Sequence, residues 1–192
     1  MKNFMNALSL SLLALTAGTL RAYDGPIKVD VSGALSFGVY PSGGTLVSDV
    51  EKWSKTLLSL RGPIYLGVLY ELSDFLLIGG EVGYSTMSLR ATMDTSNVLK
   101  VQFRDIPVRG AVRLNLGKYF FQPYMGVYLA SAKGDVMEQI KGTNPNFELG
   151  IKGGKFNSFW IIDYGYFTEL SMIMGPSRSL RAGIGFVVKL LK

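Results

Sequence analysis

Residues 64–84 read IYLGVLYELSDFLLIGGEVGY, and their pattern indicates the fold class of the whole chain. On both sides of Ser73-Asp74, large apolar side chains recur at every second position, and many of the residues between them are glycine or charged. Alternation with a period of two is typical of β-strands whose two faces meet different surroundings. Because so short a connection joins the two runs, they are predicted to form an antiparallel hairpin.

The same alternation marks six further segments of the chain. Their apolar faces carry Val31 and Leu35, Ile106 and Val108, Met125 and Val127, Leu149 and Ile151, Tyr164 and Tyr166, and Ile184 and Phe186. Together with the hairpin, these segments predict an all-β protein of eight antiparallel strands.

The predicted connections alternate in length. The short ones are Ser73-Asp74, Asn115 to Lys118, and Asn157-Ser158, and the long ones are 41–59, 87–99, 132–146 and 168–178. Short turns at one end and long loops at the other are typical of a transmembrane β-barrel. We therefore expect an eight-stranded antiparallel up-and-down transmembrane β-barrel.

Charged residues within the predicted strands share one face with Gly, Ala and Ser. They are Lys28, Asp30, Glu71, Glu81, Asp105, Arg109, Arg113, Glu148, Lys152, Asp163, Arg181 and Lys189, six basic and six acidic residues. Small residues beside balanced charges suit a narrow interior in which each charge needs a partner. The opposite face lacks charge, as expected for a lipid-facing wall where Arg or Lys costs about 2–4 kcal/mol near the midplane. These twelve residues are predicted to form a charge network inside the barrel.

A soluble lipocalin-like barrel shares this alternation with its inside and outside exchanged, and it stays an alternative at this point. The asymmetry of the connections favours the membrane barrel. Aromatic residues near the predicted strand ends are expected to form interfacial girdles; they are Tyr40, Tyr70, Tyr84, Phe103, Tyr119, Phe120, Phe121, Trp160 and Tyr166. Pro107 lies deeper in its strand and predicts a β-bulge, because proline cannot donate to the ladder.

The first 22 residues have the layout of a secretory signal peptide. Lys2 is followed by an uncharged apolar run from Ala7 to Leu20, which is too short to cross a bilayer as a helix. The cleavage site is predicted after Ala22 or after Gly18. The predicted organisation is a signal peptide at 1–22 and an outer-membrane barrel domain at 23–192.

The composition excludes several kinds of chemistry. The 192 residues include no cysteine and no histidine, so disulfides, thiolate metal sites and histidine-dependent nucleophiles are excluded. The net charge of +6 is scattered rather than clustered with aromatic residues, which argues against nucleic-acid binding. The strand carboxylates are best explained as ion-pair partners. We therefore predict no catalytic, cofactor-binding or metal-binding residues.

Three short stretches resemble the outer-membrane β-barrel (porin-like, OmpA/OmpX-type) superfamily. They are Asp105 to Val108, Gln122 to Gly126, and the Tyr70 to Asp74 hairpin. The resemblance implies a barrel inserted by the outer-membrane assembly machinery of a Gram-negative bacterium, with both termini on the periplasmic side. The chain departs from the family in ending Phe186-Val187-Val188-Lys189-Leu190-Leu191-Lys192, without the usual terminal aromatic residue.

The leading functional prediction is a non-enzymatic outer-membrane protein with a charged interior that its side chains plug. Its long loops would give it a structural or surface-interaction role, and its predicted partners are membrane lipid and the assembly machinery. A narrow porin-like channel for small solutes and a soluble periplasmic ligand-binding barrel are the alternatives.

Overall fold

A computed structural model describes residues 25–40, 57–92, 98–134, 142–159, 162–175 and 178–191. The predicted signal peptide lies outside these residues. The strand segments are β1 (Ile27–Tyr40), β2 (Leu57–Arg61), β3 (Ile64–Ser73), β4 (Leu76–Thr92), β5 (Val98–Leu116), β6 (Tyr119–Gly134), β7 (Gly142–Phe159), β8 (Ile162–Met174) and β9 (Ser179–Leu191). Within the described ranges, no helix is long and apolar enough to cross a lipid bilayer.

These nine segments form eight wall strands of a closed antiparallel barrel. β2 and β3 both pair with β1 in one continuous register, with Ser36 opposite Arg61 and Gly33 opposite Ile64. They are one wall strand interrupted at Gly62-Pro63, where proline has no N–H to donate. The pairing of β1 with β9 closes the sheet. The predicted eight-stranded up-and-down barrel is confirmed, with a second strand that begins seven residues earlier than the predicted one, at Leu57 rather than Ile64.

The register fixes the stagger of the barrel. Paired residues followed strand by strand from Val29 lead once around the wall to Leu180, whose partner on β1 is Val39. A stagger of ten residues over eight strands inclines them by roughly 40° to the barrel axis, given the usual rise and strand spacing. A barrel of this size has an interior just wide enough for side chains to fill.

The strands run further than the sequence predicted, so several predicted connections are wrong. The connections are 41–56, 93–97, 135–141 and 175–178 at one end, and 74–75, 117–118 and 160–161 at the other. Asn157-Ser158 belongs to β7 rather than to a turn. The alternation of polar and apolar residues weakens where the strands extend beyond the apolar band. The predicted strands therefore end before the observed ones. Gly117 forms its turn with a φ of 65°, a conformation that glycine adopts without strain. The two ends are called the long-loop end and the short-turn end.

The wall separates polar from apolar side chains as predicted. β3 alternates between exposed and buried residues from Ile64 onward, with the apolar side chains outside. On β6 the outward side chains from Tyr119 to Leu129 are mostly apolar, a distance of about 25 Å along the axis at the usual rise and this tilt. This height matches the apolar band of a transmembrane barrel and contradicts the soluble alternative, whose charges would face outward.

Two smaller expectations are wrong. Pro107 lies beside an interruption in the β4–β5 ladder, but Val82–Val108 and Ser85–Asp105 stay in one register, so no bulge forms. Phe103 and Phe120 point into the barrel and are nearly fully buried, rather than joining an outer girdle. Trp160 lies outside the described residues.

Candidate functional site in the barrel interior

The twelve charged residues singled out from the sequence all lie on the inner side of the wall. Eight are buried: Asp30, Glu81, Asp105, Arg109, Arg113, Glu148, Lys152 and Arg181. Lys28, Glu71, Asp163 and Lys189 are partly buried. Arg61 and Glu169 are buried as well, which makes five acidic and five basic buried residues among those described. Opposite charges therefore balance in the part of the interior that is shielded from water.

Arg109 on β5 is the centre of this arrangement. Its Nε and Nη2 donate to the two carboxylate oxygens of Glu148 at 2.8 and 2.7 Å, a bidentate pair. Its Nη1 lies 3.0 Å from Glu169 Oε1, and its Nη2 donates to the Tyr65 hydroxyl at 2.9 Å. The guanidinium also lies over the rings of Tyr65 and Tyr124, 4.3 and 4.2 Å from their centroids. One side chain thereby connects β3, β6, β7 and β8 to β5 through the middle of the barrel.

Glu81 on β4 organises the neighbouring contacts. It accepts from Lys152 Nζ at 2.6 and 2.8 Å and from Gln122 Nε2 at 2.8 Å. Gln122 accepts in turn from Arg113 Nε at 2.6 Å, and Arg113 pairs with Asp30 at 2.7 Å. This chain of contacts extends from the centre of the barrel to β1. We call Arg109, Glu148, Glu169, Glu81 and Lys152 the central cluster.

Separate ion pairs lie towards the two ends of the barrel. Towards the long-loop end, Arg61 pairs with Asp105 and donates to the Tyr128 hydroxyl at 2.6 Å. Towards the short-turn end, Lys28 pairs with Glu71 at 2.8 Å. Asp163 and Lys189 line a polar cavity of about 190 Å³ at that end, together with Lys28 and Glu71.

Arg61, Gln122 and Glu169 contribute to the interior but were not among the predicted residues. Glu169 lies within the connection predicted at 168–178. Apolar residues at every second position, Leu170, Met172 and Met174, continue the outward face of the strand past Tyr166, and they are the sequence signal that identifies Glu169 as an inward residue. Arg61 precedes the interruption at Gly62-Pro63. Because the predicted strand begins after this interruption, at Ile64, it does not include Arg61.

Interior aromatic rings lie opposite glycines on the adjacent strand. The cross-strand pairs are Tyr65–Gly83, Phe120–Gly154, Tyr124–Gly150 and Phe167–Gly185. A Cβ placed on any of these glycines would lie 2.2–2.6 Å from an atom of the opposite ring. The glycines therefore give the rings room to lie along the wall, and the rings cover the exposed glycine backbone. Two of these rings, Tyr65 and Tyr124, flank Arg109.

The interior holds little free space near the central cluster. A void of about 10 Å³ is bordered by Tyr65, Arg109 and Glu169, which is about the least that can hold one water. Within the described ranges, no three acidic side chains group closely enough to hold a metal ion. The arrangement is chemically suited to hold the wall strands together by paired charges.

Comparisons with known proteins agree with this architecture. The sequence matches no protein-family model and no curated protein. Among solved structures, Ail of Yersinia pestis, in complex with the heparin analogue sucrose octasulfate, has a TM-score of 0.54 at 10% identity, over 87% of this chain and 99% of Ail. Neisserial surface protein A has a TM-score of 0.49 at 10% identity, over 86% of this chain and 96% of its own. OprG of Pseudomonas aeruginosa has a TM-score of 0.49 at 11% identity, over 88% of this chain and 98% of OprG. The similarity to Ail shows that the chain has the fold of a small outer-membrane β-barrel, the fold that the resemblance implied.

Proposed function

We propose that this protein is a non-enzymatic integral outer-membrane protein whose interior side chains close the barrel to solutes. The observation that carries the proposal is the central cluster, where Arg109 bridges opposite walls and leaves a void of only about 10 Å³. The loops at 41–56, 93–97, 135–141 and 175–178 would then act at the cell surface on a rigid support.

The outer wall supports the proposed location. Its apolar band is about 25 Å high at the usual strand rise, and its exposed residues include Val82, Met125 and Ile184. The segment 1–22 would direct export and be removed, and the assembly machinery would insert the barrel with the short-turn end in the periplasm. No catalytic role is assigned, because the interior carboxylates are occupied by ion pairs.

Conductance distinguishes a closed barrel from a narrow channel. The refolded wild-type protein is expected to give no discrete current steps in a planar lipid bilayer in potassium chloride. The Arg109→Ala variant is the positive control and is expected to give current steps, because removal of the bridging side chain opens space at the centre of the barrel. Regular current steps from the wild type would overturn the closed interior and favour the channel.

A second candidate function is the binding of polyanionic glycans at the long-loop end. Arg104, Lys133 and Arg178 are exposed near this end. Arg104 is opposite Ser131 and Lys133 is opposite Gln102, so these two cations are diagonal neighbours on adjacent strands, about 7–8 Å apart in the usual geometry. The fold is shared with Ail, which was crystallised with a heparin analogue.

Heparin retention tests this candidate. The wild-type barrel in a non-ionic detergent is expected to bind immobilised heparin at low salt, and the triple variant Arg104→Gln, Lys133→Gln, Arg178→Gln to elute at markedly lower salt. Lys118→Gln removes an exposed cation at the opposite end and is the control. Equal elution of the triple variant and the wild type would contradict this role.

A further inference from the structure

Positive charges predominate among the exposed side chains that the structure describes, although the buried interior charges are balanced. Among the described side chains, the exposed charged residues are Arg104, Lys118, Lys133, Lys155, Arg178 and a single acid, Asp74. Because the buried interior charges cancel, this excess of exposed positive charge faces the surroundings of the barrel. The anions that a membrane presents at its two interfaces are the phosphate groups of its lipids.

One of these exposed cations, Lys155, borders a groove in the outer wall. The groove has a volume of about 830 Å³ and extends from β6 across β7, β8 and β9 to β1. Its volume lies within the range of about 300–1,000 Å³ that is usual for ligand sites. The groove begins at Tyr119 and Lys155 and continues past Gly153 and Thr168 to Ile184 and Leu35. It leads from the short-turn end towards the middle of the apolar band.

The surroundings of Lys155 fit a lipid headgroup. Lys155 lies directly between Tyr119 on β6 and Tyr166 on β8, each its cross-strand partner. Both tyrosines are more than half exposed, at 52% and 59%. A lysine flanked by tyrosines combines one ammonium group with two hydroxyl donors, and such side chains place their polar tips at the membrane interface.

Beyond Lys155 and the two tyrosines beside it, the groove is apolar and shallow. Gly153 faces outward, and a Cβ placed on it would meet no atom within 4 Å. Thr168 beside it turns its hydroxyl to the Gly153 carbonyl at 3.4 Å, which leaves its methyl group for the groove. Leu35, Ile184 and Phe186 form the apolar sides. An acyl chain fits such a surface, because it needs no hydrogen-bond partner.

We propose that this groove binds one glycerophospholipid of the periplasmic leaflet, with its phosphate at Lys155 and one acyl chain along Gly153 and Thr168. The inference rests on the proposed membrane location and short-turn orientation. Charge complementarity at Lys155, at the membrane-interface end of an otherwise apolar groove, favours this occupant over a second copy of the chain.

Native mass spectrometry of the full barrel, released from micelles doped with phosphatidylglycerol, measures how many molecules retain one lipid. Lys155→Gln is expected to reduce the apparent affinity about fivefold, the usual effect of one lysine at an anionic lipid surface. Thr168→Phe fills the groove and is expected to abolish retention. Lys118→Gln is the matched control, since Lys118 lies over the Tyr119 ring but does not line the groove. Diacylglycerol, which lacks phosphate, should not be retained by the wild type.

Equal retention by Lys155→Gln and the wild type would overturn the site, and so would retention of diacylglycerol. Dimers of the wild type that Thr168→Phe dissociates would assign the groove to a second copy and also overturn it. A gel of unboiled and boiled samples separates this failure from that of the proposed function. A barrel in the outer-membrane fraction whose mobility changes on boiling, but which retains no lipid, contradicts only the groove site.

Discussion

Replacement of Arg109 by methionine tests whether the central cluster is shielded from water. Glu148 is fully buried and would lose both of its hydrogen bonds to the guanidinium. Glu81 would keep Lys152 at 2.6 Å, and Glu169 would keep the Tyr124 hydroxyl. Glu148 is thus left without a charged partner, and Glu169 loses its ion pair and keeps only a neutral hydroxyl. The loss of one member of a buried pair costs about 3–5 kcal/mol.

Urea unfolding in lipid vesicles, followed by the fluorescence of the two tryptophans, measures this loss. With a slope of about 2 kcal/mol per molar urea, the midpoint of Arg109→Met should fall by about 2 M. The double variant Arg109→Met, Glu148→Gln removes the charge of Glu148 and should recover about half of the loss, because Glu169 still lacks its cation. Arg104→Met removes an outward arginine from the same strand and should change stability by less than about 1 kcal/mol.

A loss below about 1 kcal/mol for Arg109→Met would refute this reasoning, because only solvated charges are so weakly coupled. The failure of Glu148→Gln to rescue the single variant would refute it as well. Either result would favour a hydrated interior and hence the channel alternative.

Two pairs of substitutions test the wall, one pair its packing and the other its lipid-facing surface. Gly150→Val should lower the free energy of unfolding by about 1–3 kcal/mol, because its Cβ would lie 2.3 Å from the Tyr124 ring; the same change at Gly110, where a Cβ would meet nothing closer than 3.8 Å, should cost little in the same urea titration. Met125→Arg places a charge on the lipid-facing wall and should cost about 2–4 kcal/mol, whereas Thr143→Arg, beyond the apolar band, should cost at most about 1 kcal/mol.

Equal losses for the two valine variants would show that the ring does not depend on its glycine. A loss for Thr143→Arg as large as that for Met125→Arg would place the lipid boundary elsewhere, and a folded yield measured by heat-dependent gel mobility would check both arginine variants independently.

Alternation in the sequence determined the fold class and the face of each strand. A side chain's face follows from whether its position is odd or even, which is a local property. The positions of Lys152 and Glu81 in their strands therefore predict that both side chains lie inside, although they say nothing about their partners. The ends of the strands are harder to predict from the sequence. Outward residues such as Thr86 and Gln102 are polar where the wall leaves the lipid, so the alternation fades there.

The pairing of the interior charges depends on the tertiary structure. Arg109 reaches Glu148 two strands away and Glu169 three strands away, and these distances depend on the stagger of ten residues around the closed wall. The same register sets Tyr124 opposite Gly150. Stagger is a property of the whole closed sheet, to which every pairing contributes, so no single segment of sequence carries it. Alternation along each strand places the charges inside the barrel, and the closure of the sheet sets which of them become partners.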